Sequence, residues 1–309
     1  MAANYWVSTQ RRHWMFTRER LAEIRESLWA RDKDSSHQVQ LPDMRIINIY
    51  FKDQICRLAK RMNSRQQAVA TAQVYIKRFY TKVDFRQTNP YLVMVTAFYL
   101  ACKMEECPQH IRFIAAEARQ FWPGKRSEFV ANDPAKIGEC EFYLISEMSS
   151  QLIVHHPYRT VSELSTELEL SVDEANQASN LISDHYQTDL PLLYPPHVIG
   201  VTAVLLAVLF SNSQRGSHMS MNPSIATSLR EGGMGAAMSA LGADRQGTGR
   251  PDPRIQKVVN WLAESEVDIR AVIECTQEMV SLYELMEGFN LQQVKEVITR
   301  MMKTKSMDK

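Results

Sequence analysis

Apolar residues recur at intervals of three and four along almost the whole chain, for example at Val69, Ala72, Tyr75, Ile76 and Phe79. This spacing places them on one face of an α-helix. Stretches in which apolar and polar residues alternate, as in a half-buried strand, are hard to find. The pattern therefore predicts an all-α fold.

The segment TNPYLVMVTAFYLACKMEECP is apolar on nearly every side until it reaches Lys103. Asn89 is suited to cap the helix, Pro90 to occupy its first position, and Pro108 to close it just past Glu106. A helix that is hydrophobic all round is typical of the centre of a bundle, where neighbouring helices surround it.

This helix has a counterpart later in the chain. NPYLVMVTAFYLA, from Asn89, aligns with PPHVIGVTAVLLA, from Pro195, at an offset of 106 residues. The same offset superposes the preceding helix, since Ala72 falls on Ala178 and Ile76 on Ile182. The repeat predicts two similar helical domains.

A length of 309 residues also fits two domains, at roughly 150 residues each. We predict an N-terminal helical extension over 1–40, a first domain over 41–155 and a second domain over 156–309. The stretch 211–254 holds seven of the eleven glycines and few large apolar side chains. Because such a composition buries too little apolar surface to become ordered, we predict a flexible insertion within the second domain.

Composition and motifs exclude several classes of protein. The 36 basic and 35 acidic residues leave a net charge of +1, so no overall basic field points to nucleic acid. The N-terminus does not resemble a signal peptide and no run could span a membrane, so we expect an intracellular protein without membrane contact. The five cysteines form no CxxC pair, which favours reduced thiols over zinc or disulfides. Hydrolase, metalloprotease and nucleotide-binding motifs are missing, and we expect no catalytic residue, metal or cofactor.

Two charges interrupt apolar helices of the first domain. Glu141 lies on the same helical face as Ile137, Leu144 and Met148, and Lys103 emerges from the apolar helix described above. A carboxylate in an apolar stripe needs a partner, so we predict that Lys103 and Glu141 pair. The pair either serves only as an internal salt bridge or also binds the backbone of a partner protein, and the residues alone leave both interpretations open.

The sequences around these two charges, LACKMEE and GECEFYLISEM, resemble the cyclin family, and five further blocks extend the similarity to the cyclin C type. These blocks are ANYWVSTQRRHW, RQQAVATAQVYIKRFY, the whole of GECEFYLISEM, LIVHHPYR and TDLPLLYPP. The resemblance implies two tandem five-helix cyclin boxes with an N-terminal helix, the first box being the one that binds a kinase. The glycine-rich insertion resembles fungal members.

The family likeness implies a non-catalytic subunit that binds and activates the Mediator-associated cyclin-dependent kinase. Such a protein acts in the nucleus with other subunits of the Mediator kinase module, and it both activates and represses transcription by RNA polymerase II. Lys103 and Glu141 are then expected on the groove that receives the αC helix of the kinase. Glu105 or Glu106 is expected to pair with a kinase arginine, because both follow Lys103 directly.

Aromatic residues near the N-terminus form a further candidate site. Trp6 and Trp14 are about two helical turns apart, so their rings are predicted to share one face, with Tyr5 beside them. These residues either dock on the first domain or extend the kinase interface.

An alternative from another class is a transcription-factor adaptor with the same two-repeat fold that binds DNA or polymerase directly. That function requires a basic surface. The basic residues in QRRH, KRFYTK and KTKSMDK are scattered and balanced by acids. We therefore do not expect direct binding of nucleic acid.

Overall fold

The computed structural model describes residues 4–30, 41–122, 134–216 and 253–307. Every regular element within these ranges is helical, which confirms the predicted all-α fold with two tandem five-helix domains and an N-terminal helix. Short 3-10 turns occupy Tyr5–Val7 and Phe85–Gln87. The α-helices in chain order are α1 Thr9–His13, α2 Arg18–Ala30, α3 Met44–Arg61, α4 Gln66–Phe79, α5 Pro90–Met104, α6 Ile111–Phe121, α7 Pro134–Glu147, α8 Tyr158–Glu167, α9 Val172–His185, α10 Leu190–Leu193, α11 Pro196–Gly216, α12 Pro253–Glu264, α13 Ile269–Glu287 and α14 Leu291–Met307.

The chain forms two compact units. The first comprises Met1–His155, Pro191–Leu193 and Asn290–Lys309, and the second comprises His156–Leu190 and Tyr194–Phe289. The last residues of the chain, predicted in the second domain, thus belong to the first unit, where α14 packs against α3. The spacing of apolar residues does not predict that α14 packs on the first unit, because an amphipathic helix fits any apolar surface of suitable shape.

In the first unit α5 is the central helix and contacts α3, α4, α6 and α7. Its start follows the predicted capping chemistry, since the Asn89 side chain accepts hydrogen bonds from the backbone N–H groups of Tyr91 (3.2 Å) and Leu92 (3.3 Å). Large side chains such as Phe98 are completely buried on it. An all-round apolar surface therefore leads to enclosure by neighbouring helices.

The second unit repeats this arrangement around α11, which contacts α8, α9, α12 and α13. The helices α4 and α9 begin at Gln66 and Val172 and end at Phe79 and His185, so both bounds differ by the predicted 106 residues. The central helices α5 and α11 also begin 106 residues apart.

The predicted insertion 211–254 lies mostly outside the described residues. Helix α11 continues to Gly216 and α12 already begins at Pro253, while 217–252 lie outside the described residues. The start of α12 is fixed by Arg254, which donates to the backbone oxygen of Glu169 (3.1 Å) and to Oε2 of Glu174 (2.6 Å). The second turn of α12 adds an ion pair between Lys257 and Glu169.

Close packing inside the second unit gives a first prediction. A Cβ atom at Gly200 on α11 would lie 2.8 Å from Cβ of Thr160 and 3.2 Å from the backbone oxygen of Pro157. We expect Gly200→Ala to lower the free energy of unfolding by about 1–3 kcal/mol, because the backbone must move apart. The matched control is Gly138→Ala on α7, where a Cβ meets nothing within 4 Å. There alanine should leave stability unchanged or raise it by about 0.5–1 kcal/mol. Equal melting temperatures for the two variants would contradict the described approach of α8 to α11.

Candidate functional site

Lys103 and Glu141 form the predicted ion pair. Lys103 lies in the last turn of α5 and Glu141 in the middle of α7, and Nζ of the lysine contacts Oε1 of the glutamate. The lysine Nζ also lies 4.7 Å from the centre of the Tyr99 ring. The pair therefore joins two helices of the first unit at their surface.

Exposure differs strongly between the two partners. The Lys103 side chain is 39% exposed, whereas that of Glu141 is only 12% exposed. An ion pair that is open to solvent on one side contributes little to stability, about 0–1 kcal/mol. The ammonium group has three donors and its side chain is partly exposed, so it retains the capacity to bind an acceptor on another molecule.

The position of Glu141 follows from the periodicity of α7. Ile137, Leu144 and Met148 are completely buried, and Glu141 lies on the same face near its edge. The apolar residues hold α7 against α5, and this contact presents the carboxylate to Lys103. The surrounding core thus fixes the glutamate in place and limits the side-chain entropy lost when a partner binds.

Glu105 and Glu106 complete the end of α5. Oε1 of Glu105 accepts a hydrogen bond of 2.5 Å from the Thr71 hydroxyl on α4, so this carboxylate is anchored within the unit. Glu106 is exposed and has a left-handed backbone with φ of 53°. The structure thus brings both glutamates to the Lys103 end of the helix, with Glu106 directed to the surface.

The N-terminal tryptophans do not share one helical face, contrary to the prediction from their spacing. The helix is interrupted because Tyr5–Val7 form a 3-10 turn and Ser8 caps a new helix that starts at Thr9. Trp6 is 54% exposed, whereas Trp14 is only 2% exposed. The two rings consequently have different environments.

Trp14 and Tyr5 pack on the first unit. The Trp14 ring lies 5.2 Å from Cζ of Arg78 and 5.6 Å from Nζ of Lys82. The Tyr5 ring meets the His155 ring edge-on, with 5.7 Å between their centres. These contacts fix the N-terminal segment and leave Trp6 facing outward.

Sequence reasoning missed two aromatic residues on the exposed side of α7. Phe142 is 77% exposed and Tyr143 is 44% exposed, and both directly follow Glu141. Tyr143 also borders a cavity of about 350 Å³ between the start of α5 and α7. The signal was available, because Phe142 lies off the face formed by Ile137 and Leu144. Exposed aromatics beside an ion pair are typical anchors of a protein interface.

Other kinds of site are not found in the described parts of the chain. There, no group of three or more His, Cys, Asp or Glu side chains is arranged to hold a metal ion. The helices of the same residues are too short or too polar to cross a bilayer. The arrangement around Lys103 and Glu141 offers hydrogen-bonding and apolar contacts to another macromolecule.

A family model and two relatives relate this chain to known proteins. Residues 13–152 match the family model for the cyclin N-terminal domain. The whole chain is similar to the RNA polymerase II holoenzyme cyclin-like subunit of Aspergillus terreus, with 64% identity over 309 residues and all of both chains covered. It is also similar to the protein of the same name from Neurospora crassa, with 48% identity over 348 aligned positions and all of both chains covered.

Solved structures with a similar fold come from two protein complexes. A chain in the CAK complex from Chaetomium thermophilum bound to ATP-gamma-S matches with a TM-score of 0.62 and 21% identity, covering 97% of this chain and 86% of that one. A chain in the yeast TFIIK complex matches with a TM-score of 0.60 and 18% identity, covering 89% and 100%. At these identities the likeness concerns the fold.

Proposed function

Since the chain belongs to the cyclin family, we propose that it is the regulatory subunit that binds and activates the Mediator-associated cyclin-dependent kinase. The observation that carries this proposal is the Lys103–Glu141 ion pair between α5 and α7, in which the lysine is partly exposed, flanked by the exposed Phe142. The name of its relatives, which connects them to the RNA polymerase II holoenzyme, supports a role in transcription.

The chemistry of activation belongs to the kinase, and this chain acts by holding it in the active form. A protein kinase is active when a lysine of its strand β3 pairs with a glutamate of its αC helix. A surface that binds αC only in that position favours the active state. Moving the kinase from about 1:99 to 99:1 in favour of activity requires roughly 5.5 kcal/mol of differential binding. An interface of roughly 1,600 Å² is large enough for this.

We assign three roles to residues at the end of α5 and on α7. Lys103 and Glu141 bind backbone carbonyl and amide groups at the αC helix of the kinase. Glu106, which is exposed, pairs with a kinase arginine. Glu105, which is bound to Thr71, holds the end of α5 in place and adds negative charge there.

The N-terminal aromatic residues have separate roles in this proposal. Tyr5 and Trp14 hold the segment on the first unit, as their contacts with His155 and Arg78 support. Trp6 extends the binding surface for the kinase, because its ring is exposed and Arg11 lies 5.1 Å above it.

In the cell we propose a nuclear location and association with other subunits of the Mediator kinase module. The kinase would phosphorylate the C-terminal repeats of the polymerase, and activation or repression of a gene would depend on when this occurs. No catalytic group of this chain takes part.

The test is a kinase assay with purified components. The Mediator-type kinase is measured on a polymerase C-terminal repeat peptide, alone and with increasing amounts of this protein. We expect low activity alone and saturable activation with the protein. A protein that is folded but neither binds nor activates the kinase contradicts the proposal. If it instead shifts duplex DNA in a salt-dependent manner, the adaptor function replaces it.

Phe142 provides a separate prediction for the same surface. Phe142→Ala is expected to weaken kinase binding at least about five-fold, because an exposed aromatic anchor contributes at least about 1 kcal/mol. The melting temperature should stay the same, since the ring is largely outside the core. The matched control is Val172→Ala on α9, because Val172 is also 77% exposed but lies in the second unit. Equal affinities of the two variants, measured by titration with the kinase, would remove Phe142 from the interface.

A further inference from the structure

The end of α5 has the geometry of a Schellman motif. The backbone N–H of Cys107 donates to the oxygen of Cys102 (2.9 Å), and the N–H of Glu106 donates to the oxygen of Lys103 (3.4 Å). Glu106 between them has the left-handed backbone that this motif requires. A Schellman motif brings together the side chains of the two residues joined by its outer hydrogen bond. Here both residues are cysteines, so the turn places their side chains next to each other at the end of the helix.

The two thiols differ in their access to solvent. Cys102 is completely buried on α5, whereas Cys107 is partly exposed just beyond the helix end, and both are free. A partly exposed thiol next to a second thiol is the usual arrangement of a redox-sensitive pair, in which one cysteine reacts first and the other resolves the product. Disulfides of intracellular proteins are mostly of this transient kind.

We propose that Cys102 and Cys107 are an oxidation-sensitive pair that hydrogen peroxide converts into an intramolecular disulfide. We further propose that this disulfide weakens kinase binding, a step that rests on the proposed function. All five cysteines lie in the described ranges, and the remaining three lie on separate helices at Cys56, Cys140 and Cys275, so such a turn joins no other pair of them.

The reaction balances in two steps. The Cys107 sulfur, as thiolate, attacks one oxygen of hydrogen peroxide, forms a sulfenic acid and releases hydroxide, which takes up the thiol proton to give water. The Cys102 sulfur then bonds to the Cys107 sulfur, loses its proton and displaces the sulfenic oxygen as a second water. Two thiols are oxidised and one peroxide is reduced. Burial, with a further contribution from Cys107, raises the pKa of the Cys102 thiol to about 12, which leaves the first attack to Cys107.

The effect on the kinase follows from the position of the pair. A disulfide brings the two sulfur atoms to about 2.05 Å, closer than two thiols in contact. The turn between them carries Lys103, Glu105 and Glu106, so these side chains move when the bond forms. Binding constellations tolerate displacements of only about 0.5 Å. We therefore expect the oxidised form to bind the kinase at least about five-fold more weakly.

The position of Lys103 allows a direct chemical test. The full chain is treated with hydrogen peroxide, denatured in an alkylating reagent and digested with trypsin. Cleavage after Lys103 separates the two cysteines, so the disulfide links the peptides 87–103 and 104–112, with a mass lower by two hydrogens. We expect this linked pair in the wild type and in Cys56→Ser, whose thiol is also partly exposed, but not in Cys107→Ser. Peroxide treatment that modifies Cys56 but produces no linked peptides overturns the proposal.

A second measurement tests the regulatory step. Kinase affinity is determined for the reduced protein, the oxidised protein and the oxidised protein after treatment with a thiol reductant. Weaker binding that the reductant restores, and that Cys107→Ser does not show, supports regulation. If the reduced and the oxidised wild type bind the kinase with equal affinity, the proposed regulation is wrong. The proposed disulfide between Cys102 and Cys107 is not affected by that result. If the reduced protein binds no kinase, the proposed function fails, and the linked peptides still decide whether the pair is oxidisable.

Discussion

Replacing Lys103 and Glu141 together by alanine is expected to lower the affinity for the kinase at least about 30-fold, while the protein remains folded. Loss of charged groups that are desolvated in a complex costs about 2–5 kcal/mol, and 30-fold corresponds to about 2 kcal/mol. The double replacement removes both charges, so neither partner of this pair is left behind as an unpaired charge. Kinase titration and thermal unfolding of the same preparations measure the two quantities.

The chain offers a matched control for this experiment. Lys257 and Glu169 form a second lysine–glutamate pair, 2.8 Å apart, in which the lysine is 40% exposed, similar to Lys103. This control pair joins α12 to the end of α8 in the second unit. We expect its double alanine variant to keep full kinase affinity. If both variants lose affinity to the same extent, the effect reflects surface charge in general and the assignment of Lys103 and Glu141 is wrong.

Trp14→Ala is expected to lower the free energy of unfolding by about 3–5 kcal/mol, the largest stability effect that we predict. The ring is almost fully buried and lies against the guanidinium of Arg78. Arg78 is itself buried, and its Nη1 donates to the backbone oxygen of Gln151 (2.8 Å). Burial lowers the pKa of Arg78 to about 10, so the arginine remains charged at neutral pH and depends on the aromatic face beside it.

The comparison with Trp6→Ala separates docking on the first unit from kinase binding. Trp6 is exposed, so its replacement should leave the melting temperature nearly unchanged and lower the kinase affinity. Chemical denaturation gives the free energy of unfolding of each variant, and titration with the kinase gives its affinity. A Trp14→Ala protein that is as stable as the wild type would show that the N-terminal segment is not held as described.

Several parts of the fold were predictable because local chemistry decides them. The start of α5 follows from a capping side chain at Asn89 and a proline that needs no hydrogen-bond partner at its nitrogen. The repeat at 106 residues located α4, α5 and their counterparts, since the same apolar spacing buries the same face. The ion pair between Lys103 and Glu141 was predictable because a carboxylate within an apolar stripe requires an opposite charge.

Other features depend on where distant parts of the chain meet. The burial of Trp14 could not be inferred from its aromatic character, because tryptophan occurs in cores and in interfaces alike. The helical ends of the predicted insertion were missed because composition gives no sharp boundary. Gly216 and Pro253 mark these ends in the structure.

The sequence by itself determined the all-α class, the two repeated units, their central helices and the family, because each rests on periodicity, capping or motif residues close together in the chain. Only the tertiary structure decided that α14 packs on α3, that Glu105 is bound to Thr71 and that a backbone hydrogen bond joins Cys107 to Cys102 at a helix end. The physical reason is the same in each case. Local preferences set the direction of a helix and its apolar face, whereas a contact also requires the packing of other elements to bring two side chains within a few ångströms.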